Sequence, residues 1–321
     1  MSTRNISVIV CTYNRCDELA LTLESLANSL LPPPTVWEII VVDNNSNDKT
    51  KEAVELFVRR FPGRFRYLCE ARQGKSYALN AGIRDARGEI LVFTDDDVVV
   101  ETTWLDNLTK NLSDDKWSGA GGRTLPEKGF SPPIWLSLKG RYALAPLAIF
   151  DRGLEPGELR EAPFGNNSAY RKSMFEKHGG FRTDLGPRAG SKDPQKSEDS
   201  EFGNRLLAAG EKLRYEAMAV LYHSVPQSRV QRRYFLDWWY DKARADIQAF
   251  GVAHDTNWFF AGIPMNLFRR LGVWTLRWIC AFESGKRFEC KIKVWSIAGS
   301  IFESYRMSVK SIEKRECNAG S

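Results

Sequence analysis

The 321-residue chain has few of the residues that build metal clusters or disulfide scaffolds: 3 His and 6 Cys. Cys11, Cys16, Cys69, Cys280, Cys290 and Cys317 form no Cys-x-x-Cys pair and follow no regular spacing. That excludes a zinc ribbon and predicts free thiols rather than a disulfide framework. The N-terminus has no basic, apolar and small-residue succession of a secretion signal. Ser7-Val8-Ile9-Val10 is one strand's worth of apolar residues, and Thr12-Tyr13-Asn14-Arg15 follows at once. No uninterrupted apolar run reaches the roughly 18 residues of a spanning helix. Together these absences predict a cytoplasmic location. Zinc-finger, helix-turn-helix and RNP-type patterns are also missing, so nucleic acid is not an expected partner. Gly74-Lys75-Ser76 ends like a phosphate-binding P-loop, but Cys69 stands where that pattern needs its first Gly.

What is present is unevenly spread. From Arg229 onward there are 16 Lys and Arg against 9 Asp and Glu; before it the balance is 30 against 31. The excess positive charge therefore sits in the last third, which suggests an anionic membrane surface as a partner. Composition also changes near Ser224, beyond which aromatic and basic residues recur at helical spacing: Trp238, Trp239 and Tyr240, then Trp258-Phe259-Phe260, Trp274, Trp278 and Trp295. A catalytic domain over 1–226 and an amphipathic helical extension over 227–321 follow. Arg269, Arg270 and Arg277 interrupt the apolar stretch Trp258–Phe282, which predicts an interfacial helix on the inner face of the cell membrane. A helical pair packed on the catalytic domain, or a homodimer contact, is the competing use of those residues.

The first 100 residues alternate strand and helix patterns. Strands are predicted at Ile6–Val10, Trp37–Val42, Arg66–Cys69 and Glu89–Phe93, with helices at Asp17–Leu30, Asp48–Phe61 and Ser76–Ala86. Such alternation predicts βαβ units and a parallel sheet. Further on, Ser118–Leu125 reads as a strand, Leu125–Pro163 as Pro-rich and irregular, Glu198–Ala209 as a helix and Leu213–His223 as a strand.

The most informative motif is Asp95-Asp96-Asp97, which closes the apolar run Ile90–Phe93. Ligands of open α/β sheets sit beyond the carboxyl ends of the strands. Three acids there repel one another, and a hard divalent cation carrying a diphosphate would offset that repulsion. Two further strands, Val8–Cys11 and Ile39–Val42, run into the polar loops Thr12-Tyr13-Asn14-Arg15 and Asp43-Asn44-Asn45-Ser46. Thr12 and Asp43 could hydrogen-bond a nucleobase edge, although polar residues also end ordinary strands. Lys75 and Asn80 are polar contacts available at the same sheet edge. Ser197-Glu198-Asp199 opens a helix; its acids suit the helix dipole, and one of them could act as a general base. His223, after a strand, is a candidate metal ligand.

In combination and in order, these elements resemble family 2 glycosyltransferases over roughly residues 5–226. They are Thr12-Tyr13-Asn14-Arg15, Val41-Val42-Asp43-Asn44-Asn45-Ser46, Gly74-Lys75 with Asn80 and Gly82, Asp95-Asp96-Asp97, Gly179-Gly180-Phe181, Glu198-Asp199 and His223. The resemblance implies a GT-A fold, a mostly parallel sheet flanked by helices. It also implies a nucleoside-diphosphate sugar donor, with uracil as base, and transfer with inversion through Mn2+ or Mg2+. By the same resemblance Thr12 and Asp43 contact the base and Asp95 the ribose. Tyr13, Asn14, Arg15, Lys75, Asn80 and Asp96 complete the donor site. Asp97 and His223 hold the metal, and Asp199 is the catalytic base beside Glu198. The acceptor expected is a hydroxyl of a glycan or lipid-linked sugar in cell-surface polysaccharide or glycolipid synthesis. The middle Asp of the acidic triplet varies in the family, which leaves Asp95 and Asp96 interchangeable in that assignment. The polar segment Leu185–Lys196 has no assigned place. Competing readings are a non-catalytic GT-A scaffold protein and a sugar-phosphate nucleotidyltransferase; the latter usually has a Gly-rich loop after the first strand, and this chain has none there.

Overall fold

The computed structural model describes residues 4–136, 138, 140–191, 196–251 and 258–319. Two compact units emerge, the first comprising Met1–Phe130, Ala148–Gly190 and Glu198–Val225, the second Ser131–Leu147, Ser191–Ser197 and Pro226–Ser321.

The first unit is an α/β domain. Its strands are β1 (Arg4–Thr12), β2 (Thr35–Asp43), β3 (Phe65–Cys69), β4 (Ile90–Thr94), β5 (Val98–Val100), β6 (Gly119–Pro126), β7 (Gly157–Leu159), β8 (Ser168–Arg171) and β9 (Leu213–His223). They form one sheet in the order β3-β2-β1-β4-β8-β6-β9-β5, with β7 on β9. Pairing through β3, β2, β1 and β4 is parallel, as is β6 with β9; β8, β5 and β7 run against the rest. Helices α1 (Cys16–Ala27), α2 (Thr50–Arg60), α3 (Lys75–Asp85), α4 (Trp104–Thr109), α6 (Lys172–His178) and α7 (Glu198–Ala208) flank it; α5 (Arg141–Leu144) belongs to the second unit.

The apolar runs of β1, β2 and β4 show no polar alternation because both faces of the sheet are covered. Val8, Val10, Ile39, Val41 and Val92 pack with Leu19 and Leu23 of α1, Phe57 of α2 and Trp104 of α4. The intervening residues Ile9, Ile40, Val42, Leu91 and Phe93 pack with Leu79 of α3, Phe175 of α6 and Phe202 of α7. The second face is rich in aromatic contacts: Phe175 stacks on Phe202 at 4.4 Å between centroids, and Phe93 meets Phe181 edge-on at 5.4 Å. Strands β5, β7 and β8 and helices α4 and α6 are short, and none was expected by name from the periodicity.

The second unit contains α8 (Arg232–Phe250), the hairpin β10 (Phe259–Phe260) and β11 (Ile263–Pro264), α9 (Met265–Cys280) and the long α10 (Ser284–Ala319). Arg244 and Gln248 of α8 reach the buried Glu303 of α10 at 3.1 and 2.7 Å, and Arg306 adds a contact of 2.6 Å. One expectation needs correction. Trp258–Phe282 is not a single helix, because Ala261 and Gly262 take left-handed conformations (φ 49° and 76°) and turn the chain back into a hairpin before α9. Among the described residues no helix is long and apolar enough to cross a membrane. Cys11, Cys16, Cys69, Cys280 and Cys290 are free thiols; the side chain of Cys317 and residues 192–195 of the unassigned segment lie outside the described residues.

Gly82 sets how closely α3 approaches the sheet. A Cβ there would stand 2.6 Å from Ile9 Cγ2 and 3.2 Å from Val42 Cγ2. Ala is the better helix former by about 1 kcal/mol, while overpacking a filled core costs about 1–3 kcal/mol. Ile9 and Val42 are fully buried β-branched residues held by the parallel ladder, so they yield little. Gly82→Ala is expected to destabilise the fold by about 1–2 kcal/mol net. Urea unfolding would show it as a lower midpoint, and an unchanged or raised midpoint would refute the close-packing argument.

Candidate active site

The three polar loops anticipated from the sequence meet at the carboxyl edge of the parallel strands. Thr12 and Asp43 end β1 and β2 opposite one another in register. Asn14, in a left-handed conformation (φ 52°), ties their loops together: its N–H donates to Ser46 Oγ at 2.9 Å, and its Oδ1 accepts from the Asn47 N–H at 2.8 Å. Asp43 is buried and accepts from the Ser46 N–H and the Tyr67 hydroxyl, both at 2.8 Å. Tyr13 is exposed at the rim. Asn80 does something other than expected. Its amide donates to the Phe181 carbonyl at 2.8 Å and accepts from the Phe181 N–H at 2.9 Å, so it clamps the chain after Gly179-Gly180.

Asp95, Asp96 and Asp97 leave the end of β4 together. Lys75, the first residue of α3, donates to Asp95 Oδ1 at 2.6 Å and lies 3.8 Å from Glu198 Oε1. Arg15 reaches Asp96 at 3.2 Å and Asp97 at 3.0 Å. Burial is the largest single influence on Asp95 and opposes its charge, but the neighbouring cationic groups, Lys75 first, together outweigh it and hold the carboxyl below the ordinary aspartate range. Lys75 is likewise held above the ordinary lysine value, against its own burial, by Asp95 and then Glu198. Burial pushes Asp96 up to about 6, with Arg15 opposing.

His223 ends β9 beside this loop. The antiparallel pairing of β5 with β9 sets Val98 opposite His223, and the Ser224 N–H donates to the Asp97 carbonyl at 3.1 Å. That backbone latch brings His223 Nε2 to 3.4 Å from Asp97 Oδ1. Asp95, Asp97 and His223 each offer one ligand atom, and all three atoms lie within 4.8 Å of one another. Two carboxylates and an imidazole in that space suit a hard or borderline divalent cation.

Glu198 and Asp199 open α7, whose placement follows from Phe202, one turn on and fully buried in the aromatic layer. Glu198 is buried, and its carboxyl is pushed up to about 7, first by burial and then by the charge of Asp199. Asp199 is half-buried and lines a pocket with Lys75, Asp95, Ser168 and Glu198. Its Oδ2 accepts from the Gly165 N–H at 2.8 Å and its Oδ1 from the Ser200 N–H at 2.6 Å. Gly165 was not singled out from the sequence. A Cβ at that position would stand 3.0 Å from Asp199 Cβ, so the approach that makes this hydrogen bond needs glycine. Its only trace in the sequence is the compact polar run Gly165-Asn166-Asn167 ahead of β8. Asn44 was likewise passed over as a site residue. Its amide donates to the Glu70 and Arg72 carbonyls and accepts from the Gly74 N–H, shaping the approach to Lys75.

Succinoglycan biosynthesis protein ExoM of Rhizobium meliloti (strain 1021) is 27% identical over 228 residues, 71% of this chain and 69% of that protein. Probable glycosyltransferase YdaM of Bacillus subtilis (strain 168) is 24% identical over 255 residues, 74% of this chain but only 54% of YdaM. A solved structure titled as the mannosyltransferase PcManGT of Pyrobaculum calidifontis in complex with GDP-Man and Mn2+ superposes with a TM-score of 0.59 at 20% identity. The match covers all of this chain and 82% of that one, a likeness of fold in keeping with the GT-A architecture expected above. The profile of glycosyl transferase family 2 matches residues 7–179, taking in the first three strand-end motifs and stopping before Glu198, Asp199 and His223. With more than half of its length inside that profile, the chain belongs to glycosyl transferase family 2 and is a glycosyltransferase.

Proposed function

We propose that the protein moves a sugar from a nucleoside-diphosphate donor to an acceptor hydroxyl, with inversion, at the pocket between Asp95 and Asp199. The observation that carries this reading is the convergence at one sheet edge of a carboxylate–imidazole donor set with a half-buried carboxylate anchored by backbone N–H groups. A binding or scaffold protein would have no need of both. Residues 1–226 would form the catalytic domain.

Asp95, Asp97 and His223 would hold a divalent cation, Mn2+ or Mg2+. When bound, it would neutralise charge on the diphosphate as a Lewis acid. The remaining work belongs to the chain. Thr12 and Asp43 border the place for the base, uracil by the family resemblance, with Tyr13 at its rim. Asn14 and Arg15 fix the loop, and Arg15 keeps Asp96 and Asp97 from repelling each other. Lys75 holds Asp95 and Glu198 apart from solvent as an ion pair. Asp199 takes the proton from the acceptor hydroxyl as the hydroxyl oxygen attacks the anomeric carbon, and the bond from that carbon to the diphosphate oxygen breaks, releasing the nucleoside diphosphate. The Gly165 N–H on Oδ2, and the Ser200 N–H and hydroxyl on Oδ1, anchor the Asp199 carboxylate and leave Oδ2 the less occupied oxygen to take the proton. Glu198 is the weaker candidate because it is buried and turned to Lys75. The name of ExoM, a succinoglycan biosynthesis protein, supports a glycan as acceptor.

Sugar transfer with a panel of donors is the direct test. Asp199→Asn keeps the size but replaces the basic carboxylate with a neutral amide, whose single oxygen can accept from only one of the two backbone N–H groups. Turnover should fall by at least about 10²-fold, the lower end for general-base catalysis, with nucleotide affinity little changed. A dead Glu198→Gln beside an active Asp199→Asn would move the role to Glu198.

Metal dependence is separable from that. Chelation should abolish transfer, and Mn2+ or Mg2+ should restore it. In a thermal-shift titration, UDP with Mn2+ should raise the melting temperature, since a ligand of the folded state stabilises it by mass action. Asp97→Ala should lose that rise while the apo protein melts as before. A shift with GDP alone would reassign the base, and full activity after chelation would remove the metal from the scheme.

A further inference from the structure

We infer that the second unit carries a docking face for an anionic lipid bilayer, formed by the outer side of α9, the β10–β11 hairpin and the start of α10. The inference rests on this surface and not on the proposed chemistry. Helix α9 has two faces. Leu267, Leu271 and Trp274 pack inward with Ile297 and Ile301 of α10, and Trp278 meets Trp295 at 6.2 Å between centroids. The opposite side carries Met265, Gly272, Leu276 and Ile279 at the spacing of one helical stripe. Leu276 and Ile279 are 65% and 64% exposed, and Phe282, just past the helix, is fully exposed. Phe260 of the hairpin extends the stripe at its other end, exposed itself yet resting edge-on against Phe268. Contiguous apolar surface of this kind marks an interaction site.

Charge selects the occupant. Arg269 lies in the stripe, Arg270 and Arg277 lie further round the helix with Arg277 over the Trp274 ring at 4.6 Å, and all three are exposed. Lys286 and Arg287 continue the basic character into α10, against the single acid Glu283 in residues 265–287. A two-fold contact with a second copy would place this basic face on itself. A bilayer with anionic headgroups instead accepts the aliphatic and aromatic side chains at the acyl boundary and pairs the arginines with lipid phosphates. Arginine in the stripe is tolerated because its long stem lets the guanidinium reach the headgroup level.

Flotation of the full chain with vesicles decides. With phosphatidylglycerol–phosphatidylcholine vesicles the protein should float, and rising salt should release it; with pure phosphatidylcholine it should stay at the bottom. The double variant Leu276→Glu/Ile279→Glu should abolish flotation. The triple variant Arg269→Gln/Arg270→Gln/Arg277→Gln should weaken partitioning at least about tenfold. Phe282→Ser, at a fully exposed position, should reduce it without touching the helix. All sites are exposed, so melting curves should stay close to the parent, the triple variant losing only the stacking of Arg277 on Trp274. Absence of flotation with anionic vesicles, or flotation indifferent to lipid charge and to all three variants, would overturn the proposal. So would a dimer in sedimentation velocity that Leu276→Glu/Ile279→Glu dissociates while vesicle binding persists.

Discussion

Crowding of negative charge at one edge of a sheet is the constraint around which this protein is arranged. Asp95, Asp96, Asp97, Glu198 and Asp199 come together where the strands end, Asp96 and Glu198 buried and the other three half-buried, so their mutual repulsion is less screened than in bulk water. Lys75 and Arg15 answer it from two sides. The perturbed acids record the balance. Asp95, touching Lys75, is held charged, while Asp96 and Glu198, more dominated by burial, shift upward. Residual negative charge of this kind is what the proposed cation, and the diphosphate brought with it, would offset.

Holding that arrangement is the task of the core. The parallel strands are covered on both faces, so their ends cannot drift with respect to the helices that follow them. Lys75 reaches Asp95 because it opens α3, just after Gly74, and α3 lies flush on Ile9 and Val42 at Gly82. Asp199 reaches Gly165 because Phe202, a turn later, is locked among Tyr170, Phe175 and Phe181. Both contacts join residues far apart in the chain through rigid packing, and both place a titratable group to within hydrogen-bond tolerance.

The chemistry and the outer surface make different demands on the chain. The α/β unit hides its apolar residues on two faces and keeps its charges at one edge. The helical unit buries a polar network around Glu303 between α8 and α10, yet leaves an apolar stripe of α9 uncovered. Burying charge while exposing leucine and phenylalanine is unfavourable for an isolated unit and reasonable for a surface that meets something apolar.

Strands β1, β2 and β4 and helices α1 to α3 were legible from the sequence, because period-2 and period-3.6 patterns and their polar terminators are local properties. So was the grouping of Asp95–Asp97 with the Thr12 and Asp43 loops, since parallel strands joined by crossovers must end at the same edge. The short β5, β7 and β8 were not, as three or four residues carry too little pattern and their pairing depends on distant partners. The same limit explains Asn80, whose polar side chain satisfies a backbone segment a hundred residues away, and Gly165, whose role exists only once α7 has been packed against the sheet. Residue type and spacing therefore determined which chemistry the chain could hold. How deeply each carboxylate is buried, and which of them lie against Lys75, was decided by tertiary packing, because burial and the nearest charge are properties of the folded state alone.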